Sequence, residues 1–450
     1  MIKTELFRTI AERFEGSGYQ FLEVGGSVRD SIMGREPSDY DFCTDATPGV
    51  IKLLLHDLGD IYTVGEEFGT IGLMHEGLKL EITTFRAEIY PQDSRKPKVE
   101  FGYSLMEDLR RRDFTINSIA RRPINGAIYD YFGGIQDIQE RLIRLVGGTQ
   151  RFEEDPLRMM RAIRFASQLG FGFQDIKMEH PERLEIISSE RIHDELVKIL
   201  ESPNPSFGVR NLCAFGLMQY IIPEIEQLLL INQGRHHIKD AFQHTMDVLE
   251  RSVAIDFGES NLKFRLACLL HDIAKPVTRT EDDNDVHFYG HQDVGAEMAK
   301  DRLQALRFDT DTIEAVYTLI KFHMYPILLE KEKSLKRAVI RRMIRKIGPD
   351  YVRMLLSLVR CDLYSSASPR QEFVSRLEKV VEGCLTEHPE MIVSPLTGDE
   401  IMERFGLVPG KRIGELKDYL LGLVLDGKLD PEDKETAERI LREEFDFLHD

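Results

Sequence analysis

Cysteine is sparse and scattered in this 450-residue chain: Cys43, Cys213, Cys268, Cys361 and Cys384, with no CxxC pair among them. Neither a disulfide framework nor a zinc ribbon is indicated. Long apolar runs are also missing. The longest, Leu228–Ile231 and Leu266–Leu270, fall far short of the ~20 residues that span a bilayer. The N-terminus, MIKTELFRTIAERFEG, is amphipathic and charged and has no secretory h-region. A cytoplasmic protein without a membrane partner is the expectation. Positive charge is in deficit, with a net charge of -18, which argues against a protein that coats nucleic acid by bulk charge. One basic stretch stands out. KEKSLKRAVIRRMIRK (Lys331–Lys346) carries eight Lys/Arg against one Glu, suited either to a phosphate-contacting face or to a solvated helix face.

What the chain does have is enough apolar residue for several cores, 42% hydrophobic against 30% charged. Its length predicts about two to four domains. The first ~145 residues mix short elements. Strands are expected at Phe21–Val24 and Tyr40–Phe42, and a hairpin at Gly72–Met74 with Leu78–Phe85. Helical periodicity appears over Thr4–Phe14 and Pro48–Leu58. From Asp155 onward the pattern is almost wholly helical, with apolar residues at i, i+3, i+4 and i+7 in Leu157–Leu169, Ser189–Leu200, Ser206–Phe215, Asp240–Ser252 and Leu262–Ile273. Further helices are expected at Asp293–Leu306, Asp311–His323, Leu335–Ile347 and Tyr351–Leu363, then a loop at Tyr364–Arg370. The tail ends in helices near Ile413–Leu425 and Lys434–Phe447. The fold class is α+β, an N-terminal mixed-sheet domain followed by an all-α body.

The chemistry concentrates in EVGGSVRDSIMGREPSDYDF. Gly25-Gly26, after a strand and before a helix, gives a tight turn whose exposed N–H groups suit a triphosphate. The turn is neither a Walker loop nor GxGxxG, and an ordinary strand–turn–helix reads the same way. Asp39 and Asp41 stand at i and i+2, on one face of a strand. Two carboxylates on one face repel unless cations sit between them, and hard oxygen ligands suit Mg²⁺. A solvated Asp-x-Asp loop is the plainer alternative.

GGSVRDSIMGREPSDYDF resembles the signature GGxVRDxxxGxxxxDxD of the class II tRNA nucleotidyltransferase and bacterial poly(A) polymerase family, a branch of the polymerase β superfamily. Other stretches match in order. LRRRDFTINSIA (Leu109–Ala120) is similar to the RRDFTINA motif, and EEDPLRMMRAIRFASQLGF (Glu153–Phe171) to the EDxxR motif that replaces a template. ISSERIHDELVKIL (Ile187–Leu200) resembles the neck, and SPLTGDEIMERFGLVPGKRIGEL (Ser394–Leu416) the tail. The resemblance implies a polymerase-β-like head over residues 1–148, a neck over 149–225, a body with an HD domain over 226–375 and a tRNA-binding tail over 376–450. It also implies roles. Gly25, Gly26 and Arg29 would contact the triphosphate, and Asp39 and Asp41 would hold the metals. Arg112 and Asp113 would lie near the ribose. Asp155 and Arg158 would read the base: Asp accepts from the exocyclic amine that C and A share, and Arg donates to the acceptor edge. Asp155-Pro156 also reads as a helix start. Arg161 and Arg164 wind round the helix and are expected to meet phosphates or the neck. Glu81, on the strand LKLEITTF, is a third acidic candidate by alternation, or else a surface salt bridge. AEIYPQDSRKPKVE, between Arg86 and Phe101, matches the family's flexible loop, which favours addition of a terminal A; an ordinary surface loop reads the same way. The implied partners are the tRNA acceptor arm and 3′ end, CTP and ATP, with Mg²⁺ as cofactor.

A second site is expected in the body. Four of the thirteen histidines precede an Asp, so the dipeptide alone means little. His271-Asp272 ends an apolar helix, with His244 upstream and His291, His323 and Asp362 downstream. That order, H…HD…H…H…D, resembles the HD-domain phosphohydrolases. Imidazoles with carboxylates suit Mn²⁺, Ni²⁺, Co²⁺ or Fe. Packing or tRNA-contacting histidines are the alternative, and His236-His237 are not expected to be ligands. Three functions remain open. One is CCA addition to tRNA with a possible phosphohydrolase. Another is poly(A) or A-only addition; the acidic end REEFDFLHD (Arg442–Asp450) speaks against the poly(A) branch. The third is an HD phosphohydrolase with a nucleotide-binding N-terminal domain.

Overall fold

The computed structural model describes residues 2–89, 98–102, 104–231, 240–282, 286–330, 335–365 and 371–445. The chain divides into two compact units, Met1–Ile221 and Ile222–Asp450.

In the first unit, helix α1 (Ile2–Gly16) leads into β1 (Phe21–Val24), α2 (Gly26–Ile32), β2 (Tyr40–Thr44) and α3 (Pro48–Leu55). Strands β3 (Asp60–Tyr62), β4 (Thr70–His75) and β5 (Leu78–Thr84) follow. A short antiparallel pair, β6 (Arg86–Ile89) and β7 (Lys98–Phe101), flanks the expected flexible loop, whose residues 90–97 lie outside the described ones. Then come α4 (Leu105–Arg110), β8 (Ala120–Arg121), β9 (Ile128–Tyr129) and α5 (Gly134–Glu140). A parallel pair, β10 (Leu142–Ile143) and β11 (Gly172–Phe173), brackets α6 (Gln150–Glu154) and α7 (Leu157–Leu169). Helices α8 (Ser189–Leu200) and α9 (Pro205–Ala214) complete the unit.

The sheet has the order β3-β4-β5-β2-β1-β8-β9. Its pairs are antiparallel except β2 with β5. The expected hairpin forms with a two-residue turn, Glu76-Gly77, both at positive φ (46° and 80°), as a tight hairpin of this hand requires. Phe7, Phe14, Phe21 and Phe42 bury the face under α1, and the Phe21 and Phe42 rings stack with centroids 4.7 Å apart. Buried apolar area on that face fixes β2, and β2 carries the acidic site.

The second unit opens with α10 (Pro223–Gln227), α11 (Ala241–Ser252), α12 (Asn261–Leu270) and α13 (Lys275–Thr278). A hairpin, β12 (Thr280–Glu281) with β13 (Val286–His287), precedes α14 (His291–Ala305) and α15 (Thr310–Phe322). Asp240 and Asp309 cap α11 and α15 by accepting from the third N–H group of each helix. Next are α16 (Tyr325–Leu329), α17 (Arg337–Ile347), α18 (Pro349–Ser365) and α19 (Gln371–Leu385). The tail packs α20 (Gly398–Phe405), α21 (Lys411–Leu425) and α22 (Lys434–Glu444) around Leu396, Leu416, Leu420 and Leu441. Among the described residues no helix is long and apolar enough to cross a membrane.

Helix α17 bears out the solvated-face reading of the basic stretch in part, with Arg337, Arg342, Arg345 and Lys346 exposed, and gives its arginines a further use. Ile340, Met343, Ile344 and Ile347 are buried, and its arginines fasten the helix to later segments. Arg341 donates to the Leu425 carbonyl (3.0 Å) and to Glu387 (2.5 Å). Arg342 reaches the Gly422 carbonyl and Asp426. Arg345 donates to the carbonyls of Pro389, Glu390 and Ile392, and Arg337 to that of Gly383. Guanidiniums thus cap the carbonyl ends of α19 and α21. Residues 331–334, which open the basic stretch, lie outside the described ones.

Candidate functional site

In the first unit a cavity of about 1210 Å³ is lined from the glycine turn to α8. Its floor begins at Gly25, whose φ of 79° needs glycine. A Cβ there would also lie 2.9 Å from Arg112 Nη1. Gly26 opens α2, and Arg29 on that helix is buried. Arg29 donates to Asn117 Oδ1 (2.7 Å) and to its neighbour Asp30 (2.8 Å).

Asp41 lies in β2, and Asp39 precedes the strand by one residue. The parallel register sets Asp41 directly against Glu81 of β5, so the two carboxylates share a face. Glu81 also pairs with Lys79 at 2.8 Å; it therefore combines the two readings of its sequence position. All three acids line the cavity. Burial pushes the Asp41 carboxyl up, and Glu81 and Asp39 add to this, while Arg112 opposes it. Clustered carboxylates that oppose one another's ionisation fit a bound cation, the donor set expected of a hard divalent ion.

Arg112 and Asp113 sit side by side with different partners. Arg112 lies 3.5 Å from Asp108, whose side chain is fully buried. Asp113 accepts from Arg161 Nε (2.8 Å). Burial alone would raise the Asp113 carboxyl, but Arg161 outweighs it and holds the pKa below the usual range. Arg161 also approaches Glu195 of α8 (3.6 Å), which accepts from Arg164 Nε at 2.6 Å. Arg164 lies over the Phe165 ring, 3.8 Å from its centroid. Arg161 and Arg164 therefore meet the neck helix while still lining the cavity.

Asp155 follows α6 and precedes α7. Its Oδ1 accepts from the Leu157 N–H (3.2 Å), the expected helix-start bond, and its Oδ2 from Arg191 Nη2 (2.7 Å). Arg158 donates to Glu154 (2.6 Å) and to the Arg151 carbonyl (3.0 Å). Sequence reasoning gave no role to Asp108, Asn117, Arg191, Glu195 or Lys198. Each falls inside or beside a quoted motif. Asn117, Arg191 and Glu195 find partners 88, 36 and 31 positions away, whereas Asp108 pairs locally with Arg111 and Arg112 and Lys198 is marked by its place in the cavity wall.

The second unit brings all six HD candidates together. His244 is on α11, His271-Asp272 follow α12, His291 starts α14, His323 follows α15 and Asp362 is on α18. His244 Nε2 is 2.9 Å from Asp362 and 3.7 Å from Asp272. His291 Nε2 is 3.2 Å from His323 Nε2. Two ligand triplets result, His244–His271–Asp362 and Asp272–His291–His323. His271, His291 and His323 each turn Nδ1 to a backbone carbonyl, of Cys268, Phe288 and Ile320 (2.9, 2.8 and 2.7 Å). Donation there leaves Nε2 as the lone pair aimed at the centre, the usual arrangement behind a metal-binding histidine. His271 Nε2 is buried without a hydrogen bond of good geometry, although Asp272 is 3.1 Å away. Burial, with His291 and His271 nearby, pushes His323 down to about 3, so it is neutral and free to ligate. The donor set fits divalent metal. Lys275, 2.7 Å from Asp272, is a cation that sequence reasoning passed over.

Comparison with known proteins agrees with this geometry. Residues 21–144 match the poly A polymerase head domain, 173–229 a probable RNA and SrmB-binding site of polymerase A, and 241–348 the HD domain. The CC-adding tRNA nucleotidyltransferase of Thermus thermophilus is 31% identical, covering 92% of each chain. The A-adding tRNA nucleotidyltransferase of Deinococcus radiodurans is 32% identical, over 87% of this chain and 88% of that one. The CCA-adding enzyme of Bacillus pumilus is 49% identical, but the match spans only 50% of this chain and 55% of that relative. The crystal structure of the Bacillus stearothermophilus CCA-adding enzyme in complex with CTP superposes with a TM-score of 0.67 at 26% identity, covering 96% of this chain and 95% of that one. With two relatives above 30% identity along nearly their whole length, the chain belongs to the tRNA nucleotidyltransferase and poly(A) polymerase family.

Proposed function

We propose that this protein adds nucleotides to the 3′ end of tRNA and completes CCA from CTP and ATP. The observation that carries the proposal is the single cavity shared by the acidic cluster Asp39, Asp41 and Glu81 and by Asp155 and Arg158. In this reading Gly25, Gly26 and Arg29 receive the triphosphate, and Arg112 and Asp113 flank the ribose. Asp39 and Asp41, with Glu81 beside them, would hold Mg²⁺, which would activate the attacking 3′-hydroxyl and neutralise the leaving pyrophosphate. Asp155 and Arg158 select C and A by their common amine, and Arg161 and Arg164 brace the selecting helix. The head spans 1–148, the neck 149–225, the HD body 226–375 and a tRNA-binding tail 376–450. The acceptor arm is read by shape, with its single-stranded end entering the cavity.

The two relatives matched along most of their length add CC and A, respectively, and the half-length relative adds CCA. The stretch between Arg86 and Phe101 supports a terminal A. A product-length assay separates these. Three tRNAs, ending at the discriminator base, at C and at CC, are offered CTP or ATP. Completion of CCA requires C on the first two and a single A on the third. A tRNA ending in CC that never gains A, a first substrate that never gains C, or long A tails would each overturn the proposal.

A second activity, metal-dependent phosphoester hydrolysis, is supported by the two ligand triplets of the HD centre. Mn²⁺, Ni²⁺, Co²⁺ or Fe would suit its mixed imidazole and carboxylate donors. Mn²⁺-loaded protein, freed of excess ion, should lose most of its metal in a His271→Ala/Asp272→Asn double variant, by elemental analysis. Nucleotide addition should persist. Retention of the metal, or loss of both properties together, would undo the assignment of two separate sites.

A further inference from the structure

We infer that Arg191 sets nucleotide specificity by positioning the Asp155 carboxylate. The inference deepens the reading of Asp155 and Arg158 as base selectors and rests on it.

A carboxylate on its last side-chain bond turns through a broad, roughly two-fold well. An acceptor that must discriminate one base edge from another cannot swing. Asp155 is tied at both oxygens, Oδ1 by the Leu157 N–H at 3.2 Å and Oδ2 by Arg191 at 2.7 Å. Each carboxylate oxygen offers two lone-pair sites, so both ties leave capacity to accept an exocyclic amine. The donor half of the pair has its own anchor, since Arg158 is held by Glu154 (2.6 Å). The two readers are thus braced from different elements, Arg158 from α6 and Asp155 from α8.

Helix α8 is built to face the cavity. Arg191, Glu195 and Lys198 recur at i, i+4 and i+7, which places them on one side of the helix. Arg191 and Lys198 line the cavity, and Glu195 holds Arg164 at its edge. As a stability device the Arg191–Asp155 pair is weak, because the side chains are 44% and 22% exposed; such pairs contribute little. What the pair does provide is orientation, and a misplaced acceptor costs rate on the order of tenfold or more.

The test measures kcat/KM for CTP, UTP, ATP and GTP on the appropriate tRNA ends, for the intact protein, Arg191→Ala, Arg191→Lys and Asp155→Ala. Arg191→Ala should lower the preference for CTP over UTP by about tenfold, with thermal unfolding nearly unchanged. Arg191→Lys should recover part of the preference. A uniform fall for all four nucleotides would mark Arg191 as a mere structural brace and overturn the inference. If Asp155→Ala collapses the preference and Arg191→Ala does not, the role of Arg191 alone fails. If Asp155→Ala leaves the preference intact, the base-selector reading itself falls.

Discussion

Asp41→Asn should reduce nucleotide addition to tRNA by on the order of 10³-fold, because metal-assisted charge stabilisation is worth several kcal/mol and each 1.4 kcal/mol is a decade. The same change should leave the protein no less stable. Asp41 shares a face with Glu81, lies two residues from Asp39, and is pushed up by burial and then by these two charges, against the pull of Arg112. A carboxyl whose folded pKa is raised binds its proton more tightly in the folded chain. Its stabilising contribution is therefore complete only below the unfolded value of about 4 and is lost as pH rises through the folded value. At pH 7 the charge is a cost, and the isosteric amide relieves it. In EDTA the variant should melt at or above the temperature of the intact protein, and the two should converge as the pH falls below about 4. Retention of more than about a tenth of the activity would remove Asp41 from the metal site; full activity with CTP would also sink the proposed reaction.

Asp108→Ala should cost about 3–5 kcal/mol of folding stability, the usual penalty for removing one partner of a buried charge pair. Asp108 is on α4 and fully buried. It meets Arg111 at 2.9 Å and Arg112 at 3.5 Å, and both guanidiniums are largely covered. Its Oδ1 also accepts from the Arg86 N–H. Deleting the carboxylate takes one close counter-charge from two covered cations inside the wall of the site. Arg112 is also the neighbour of Gly25 and Asp41, so addition should fall even where the variant is fully folded. Urea denaturation gives the first quantity and initial rates the second. A loss below about 1 kcal/mol would mean that water replaces the carboxylate there, and the cluster would count as surface rather than core.

Much of the fold was legible because its signals are local. Strand β1, helix α7 and helix α8 occupy the spans their patterns predict. The glycine turn could be read from two residues and their neighbours. Chain partners could not. Alternation turns Glu81 to one face of its strand, but only the β2–β5 register sets it opposite Asp41. Arg29 finds Asn117 across 88 positions, and Arg191 finds Asp155 across 36. A motif names which residues matter and leaves open what each one touches. The six HD candidates were legible from their order and from the apolar helix that His271-Asp272 ends. Lys275, at i+3 from Asp272, has a spacing that also fits a solvent-facing lysine, and only the structure shows the 2.7 Å pair. The basic stretch was the least readable part, since a count of charges says nothing of where acceptors lie.

Those arginines of α17 carry a last consequence. Arg337, Arg341, Arg342 and Arg345 all grip main-chain carbonyls, those of Gly383, Leu425, Gly422 and Ile392 among them. A carbonyl is present whatever amino acid occupies the position. That part of the clasp asks only that the backbone stay where it is, so Gly383 and Ile392 are held without regard to their side chains. The constraint falls on the four arginines, on the Glu387 and Asp426 carboxylates that Arg341 and Arg342 also hold, and on the buried Leu425.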